Sequence, residues 1–168
     1  MDAVDEGHAP DWQPPGMRDV SDKRVTRRTA TAQAVLRADP ETIRTIVEGR
    51  LPKGDPLPVA KVAAIMAAKN TSQIIPYCHP LPVEHLRVEF EIGIDTIRVI
   101  TKVVAHYKTG VEMEALTAAA VAALSIYDMA KMIDPAMVVE QVALIEKTGG
   151  KSDFSRPEGP DKGREIAG

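Results

Sequence analysis

The sequence predicts an α+β sandwich, an antiparallel four-stranded sheet with helices packed on one face. Three observations predict it. Two alternating stretches, Leu86 to Ile92 and Ile97 to Lys102, flank the breaker Gly93-Ile94-Asp95 and read as a hairpin. Apolar residues at helical spacing lie on both sides of that hairpin in the chain. A first strand before them and a last strand after them complete the order strand, helices, strand, strand, helix, strand.

The first strand is read over Thr29 to Leu36, where small and apolar residues alternate with polar ones. Asp39-Pro40-Glu41 supplies an N-cap, a proline at the first helical position and an acid in the first turn. Ile43, Ile46 and Val47 follow at helical spacing and Gly49 stops the helix. Lys53-Gly54-Asp55-Pro56 reads as a turn-rich loop leading to a second helix, dense in alanine, over about Val59 to Lys69. Thr71 to Pro82 reads as irregular connection. In the hairpin, Leu86, Val88, Phe90 and Ile92 alternate with Arg87, Glu89 and Glu91, which leaves one face wet. Glu112 to about Met132 contains no breaker and predicts the longest helix, ended by Asp134-Pro135. Val138 to Ile145 is the last strand, closing on Gly149-Gly150. This is the split βαβ order of a ferredoxin-like fold.

With 168 residues the chain suits one core. The expected division is a catalytic domain over 18–155, a disordered N-terminal extension over 1–17 and a flexible tail over 156–168, both ends being polar and rich in Pro and Gly. Only two Phe, one Trp and three Tyr are present, so alanine and aliphatic residues must fill the core. The 21 basic and 24 acidic residues leave a net charge of -3, which argues against general affinity for nucleic acid or anionic membrane. Any anion site is therefore local. A single cysteine makes no intrachain disulfide, and no apolar run is read as approaching the roughly 18 residues of a membrane span. The N-terminus has no apolar signal core, so the expected location is the cytoplasm.

Several constellations bear on function. Thr117, Val121, Leu124, Asp128 and Lys131 share one helical stripe that begins apolar and ends in a charged pair. The spacing fits a surface ion pair, whereas Tyr127, Met129 and Met132 around it point to burial, and buried charges need a reason. Glu112 and Glu114 open the same helix, where its dipole favours negative charge. They either cap it or divide labour, one holding structure and one facing ligand. Cys78-His79 is stiffened by Pro76 and Pro80; adjacent residues without a second ligand pair make a weak metal site. Lys147-Thr148-Gly149-Gly150-Lys151 resembles part of a phosphate loop, but Ile145 stands where its first glycine belongs. Lys53, Lys69, Lys131, Lys147 and Lys151 each lie beside a loop or helix end, and Arg27-Arg28 enters the first strand. Crowded lysines would depress at least one pKa and free an amine to act as a base.

Together these motifs resemble the MoaC family of cyclic pyranopterin monophosphate synthases, which act in molybdenum cofactor biosynthesis. The resemblance covers about Met17 to Phe154. It rests on Asp19-Val20-Ser21, Leu51-Pro52-Lys53-Gly54-Asp55, Ala67-Ala68-Lys69, Ile75 to Leu81, Thr109 to Thr117, Ile126 to Lys131 and Gly149 to Ser152. It implies a ferredoxin-like lyase that converts a 3',8-cyclised dihydro-GTP into cyclic pyranopterin monophosphate and diphosphate. It also implies a homohexamer, a trimer of dimers with sites at subunit interfaces, and no metal or cofactor. By position, Asp128, Lys53 and Lys131 match catalytic residues. Tyr77, Cys78, His79, Met113 and Glu114 match substrate-binding segments, and Glu112, Arg28, Lys69, Lys147 and Lys151 match other pocket residues. Arg18 and Tyr77 depart from the family pattern, as does Ala63-Ala64 where glycine is usual; none removes a residue assigned to catalysis.

Two other classes compete. A nucleotide-sensing regulator would use the same cations without needing the Asp128-Lys131 pair. An RNA-binding sheet would need aromatics on its strands, and Phe90 alone does not supply them.

Overall fold

The computed structural model describes residues 16–157. Its strands are β1 (Thr26–Arg37), β2 (His85–Ile92), β3 (Thr96–Tyr107), β4 (Val138–Thr148) and β5 (Phe154–Ser155), and its helices are α1 (Pro40–Val47), α2 (Pro56–Ile74) and α3 (Glu112–Ala130). The sheet order is β2-β3-β1-β4-β5 with every neighbouring pair antiparallel. The four long strands thus take the ferredoxin-like order that the sequence predicts. The two-residue β5 is an addition to that four-stranded expectation. Most of the expected N-terminal extension and C-terminal tail lies outside the described residues.

Asp39 caps α1 as expected, its side chain accepting from Glu41 N at 2.8 Å. The same chemistry recurs at Asp55-Pro56, where Asp55 accepts from Leu57 N at 3.0 Å. The loop reading holds for Lys53-Gly54, while Asp55 caps and Pro56 opens α2, which starts earlier than the expected Val59. At its other end α2 continues through Thr71, whose hydroxyl donates to Ala67 O at 2.9 Å, so only 75–82 remains as irregular connection.

Alternation places Ala30, Ala32, Ala34 and Leu36 of β1 on the helix side, opposite Val103, Thr101, Val99 and Ile97 of β3, and all eight are fully buried. α3 packs on β1, β3 and β4, and α2 packs beside α3. Their contact surfaces are rich in buried alanine, with Ala60, Ala64 and Ala68 on α2 and Ala115, Ala118, Ala119, Ala122 and Ala123 on α3. Small side chains let the backbones approach closely, and an added methylene there would overpack the core. Thr101, also fully buried, meets its polar obligation by donating to Ala115 O at 2.8 Å.

Contrary to the sequence expectation, α3 is long and apolar enough by composition to cross a membrane, but half of it is buried within the protein. It is the core helix of the sandwich. Its two ends carry the candidate site residues.

Candidate active site

Lys53 stands in the turn between α1 and α2, pinned by buried Leu51 and by Gly54, whose φ of 86° closes the turn. From there it crosses to the C-terminal end of α3. Its Nζ donates to Asp128 Oδ2 at 3.0 Å and to the Asp128 backbone carbonyl at 3.1 Å, while Lys131 Nζ donates to Asp128 Oδ1 at 2.7 Å. One carboxylate thus bridges two ammonium groups. Hydrogen bonds from Lys131 and then Lys53 hold the Asp128 carboxyl down at about 2, and the Lys131 amine is raised by the same contact.

Two expectations fail at this trio. The pair is not buried: Asp128 and Lys131 side chains are 56% and 50% exposed. Met132 points to solvent and Tyr127 is half-buried, with only Met129 in the core. Nor is Lys131 depressed by neighbouring cations; its hydrogen bond to Asp128 raises it instead.

A second cluster surrounds the N-terminal end of α3. An open cavity of about 400 Å³ is lined by Arg18, Lys23 and Arg24 from the segment before β1, Arg28 from β1 and Lys108 after β3. Lys147 of β4 and Lys151 of the following hairpin complete its seven cations, against one acid, Glu112. Arg28 is aimed by its bonds to Tyr107 O (3.4 Å) and Lys108 O (3.3 Å), and Lys108 Nζ donates to Ser21 O at 2.6 Å. The Lys23 amine is lowered by desolvation and by Arg18, Lys151 and Arg28. Lys23 was not among the lysines expected to crowd, and desolvation outweighs the neighbouring cations there. Val111 gives α3 no side-chain cap, so the positive end of the helix also faces this region.

The hairpin Gly149 to Asp153 forms one rim. Gly149 has φ 84°, and a Cβ there would fall 1.9 Å from the Arg27 carbonyl oxygen, so only glycine fits. This partial phosphate-loop motif is a β-turn structure, without the helix that a phosphate loop requires.

A second, less polar hollow adjoins the cavity and shares Thr109, Gly110 and Glu112 with it; its other walls are Ile75, Tyr77, Cys78, His79 and Met113. His79 Nε2 donates to Arg18 O at 2.8 Å, tying this wall to the basic segment. Cys78 Sγ donates to Glu114 Oε1 at 3.5 Å. Desolvation, followed by Glu114, pushes the thiol up to about 11, and desolvation raises Glu114 as well. A neutral thiol on a sheltered acid is a poor nucleophile. Glu114 is 2% exposed and its Oε2 has no partner. The two acids at the start of α3 differ in placement: Glu114 faces inward and Glu112 lines the cavity.

Lys69 lies on the exposed side of α2 and lines neither space. Arg18, Lys23, Arg24 and Lys108 line the cavity but were not among the site residues expected from sequence. The available signal was five basic residues between 18 and 28 in a chain of net negative charge. Among the described residues no group of three or more His, Cys, Asp or Glu is placed to hold a metal ion.

A family model for the MoaC family matches residues 17–150. The chain belongs to the MoaC family. Every expected site residue except Lys151 lies within the matched span. Two curated relatives, both named cyclic pyranopterin monophosphate synthase, are close in sequence and in length. That of Herpetosiphon aurantiacus is 54% identical over 144 residues, covering 84% of this chain and 88% of the relative. That of Brevibacillus brevis is 52% identical over 144 residues, covering 84% and 90%. In this MoaC chain the cationic cavity and the trio sit at opposite ends of one helix. Sixteen residues separate Glu112 from Asp128, which at 1.5 Å per residue is about 24 Å.

Proposed function

We infer that this chain is a cyclic pyranopterin monophosphate synthase, a lyase of molybdenum cofactor biosynthesis. It converts (8S)-3',8-cyclo-7,8-dihydroguanosine 5'-triphosphate to cyclic pyranopterin monophosphate and diphosphate. The carrying observation is the cationic cavity that opens, through Thr109, Gly110 and Glu112, into a less polar hollow. A triphosphate suits the first and a fused ring suits the second.

Arg28, Lys147 and Lys151, with Arg18 and Lys108, hold the phosphates. Tyr77 and Met113 flank the ring, and His79 and Cys78 meet its edge. In the phosphate step a substrate hydroxyl attacks the α-phosphorus, the α–β P–O bond breaks, and diphosphate leaves with its charge borne by these cations. Ring opening and rearrangement need proton transfers, which fall to the trio. Lys131, its amine raised by Asp128, enters as a proton donor, and Lys53, on the same carboxylate, is placed to share that role. Asp128 becomes a useful base when substrate draws one lysine away.

A separation of about 24 Å is too great for one small nucleotide to touch both clusters of the same chain. The active centre is therefore shared, with the trio of one subunit completing the cavity of another. A homohexamer arranged as a trimer of dimers supplies such shared sites. Val59, Val62 and Met66 on α2 and Leu124 on α3 are exposed apolar residues suited to cover by another copy. Lys69, on the same helix as the first three, has its use across such an interface. Location in the cytoplasm fits a small-molecule substrate of this kind.

Two measurements test the reading. The cyclised triphosphate should yield pterin product and diphosphate; binding without product would leave a sensor in place of an enzyme. Mixed assemblies of Lys53→Ala and Arg28→Ala chains should recover activity that neither has alone, whereas a site contained in one subunit would give no recovery.

A further inference from the structure

Glu112 is an anomaly, the one carboxylate in a cavity of seven cations. Its Oε1 forms an ion pair with Lys147 Nζ at 3.1 Å. The two side chains are 35% and 29% exposed, the lowest values for any cation and any acid in an ion pair among the described residues. The carboxylate is folded back over the chain, with Oε2 only 1.8 Å from where a Cβ on residue 110 would stand, a place open because residue 110 is glycine. Lys147 does not need this partner to be positioned. Its backbone is held in the sheet between Ala30 of β1 and Phe154 of β5.

We propose that Glu112 is a stand-in anion that occupies Lys147 while the cavity is empty, yields it to a substrate phosphate and reclaims it as diphosphate departs. This deepens the proposed function, since it rests on the cavity being the phosphate site. A pocket of unopposed cations would hold the released diphosphate as firmly as it held the substrate and would stall turnover. A carboxylate inside the pocket repels every polyanion, and the repulsion matters most for a product that has lost its ring contacts. Glu112 thus eases release of diphosphate, while ring contacts keep the nucleotide in place.

The test is binding of inorganic diphosphate by calorimetry to the full-length protein and to Glu112→Gln, with circular dichroism and assembly size as controls for folding. Removing one like charge at such range should tighten diphosphate about tenfold and strengthen product inhibition by the same factor. Glu112→Ala should tighten it too and gives the reading if the amide variant does not fold. Unchanged or weaker binding in both variants overturns the proposal, because a Glu112 that merely steadied Lys147 would loosen the site when neutralised. If the unaltered protein binds no diphosphate, the phosphate cavity itself falls and this inference with it. If it binds but the variants are no tighter, only the role of Glu112 falls.

Discussion

At the C-terminal end of α3, Lys53 and Lys131 both close on Asp128, whereas at the N-terminal end seven cations face the single carboxylate of Glu112. The trio's single carboxylate engages both ammonium groups and leaves only a net +1. The cavity holds charge that its own residues do not neutralise, and only a polyanion completes it. Groups meant to move protons are thus kept paired and ionised, while groups meant to bind are kept short of partners.

The largest effect should come from breaking the trio. Lys53→Ala and Asp128→Asn should each lower turnover by about 10²–10⁴-fold while folding and assembling normally, as rate measurements beside circular dichroism will show. Near-normal rates would remove the distinction between the two ends.

At the other end, Arg28→Ala should weaken diphosphate or substrate binding by roughly 10–100-fold, the loss of one charged hydrogen-bond donor. Added salt should weaken the unaltered protein more steeply than this variant. An effect on turnover alone, with binding intact, would assign Arg28 to the chemistry instead.

Gly149→Ala should disturb only the cavity. The left-handed backbone and the close Arg27 carbonyl make it costly, by about 1–3 kcal/mol in a denaturant titration, with the trio's geometry unaffected.

The smallest effect is a pH dependence. Burial raises Glu114 above its ordinary 4.5, so the folded state binds more protons than the unfolded one above that pH, and stability falls as pH rises through the raised value. Glu114→Gln should lose this slope, and its melting temperature relative to the unaltered protein should climb with pH. Asp128 behaves in the opposite sense. Lowered from 3.8 to about 2, it contributes stability above 3.8 that is lost as pH falls through 2, and Asp128→Asn should abolish that acid limb.

The architecture was largely legible because local signals agreed with it. Alternation in β2 and β3 and the Asp39-Pro40 cap predict what is observed. Asp55-Pro56 carries the same cap chemistry, but Lys53-Gly54 before it reads as a turn, and the two uses overlap in four residues. The site was less legible. Lys53 lies 75 residues from Asp128, so only family resemblance joined them before the fold did. The expectation of burial failed because α3 ends at Ala130, so Lys131 and Met132 lie in the turn beyond it and face solvent. The cavity draws on the segment before β1, on β1, on the loop after β3 and on β4 with its hairpin, and no single motif could have announced it.

Because α3 bears both ends of this arrangement, its length is also an angle. Each residue turns the helix by about 100°, so inserting one anywhere between Glu112 and Asp128 would swing Asp128 a quarter-turn or more away from Lys53. Seven inserted residues would nearly restore the phase but would carry the trio about 10 Å farther along the axis. Side chains along α3 are therefore open to exchange within the limits of packing, while its residue count is not.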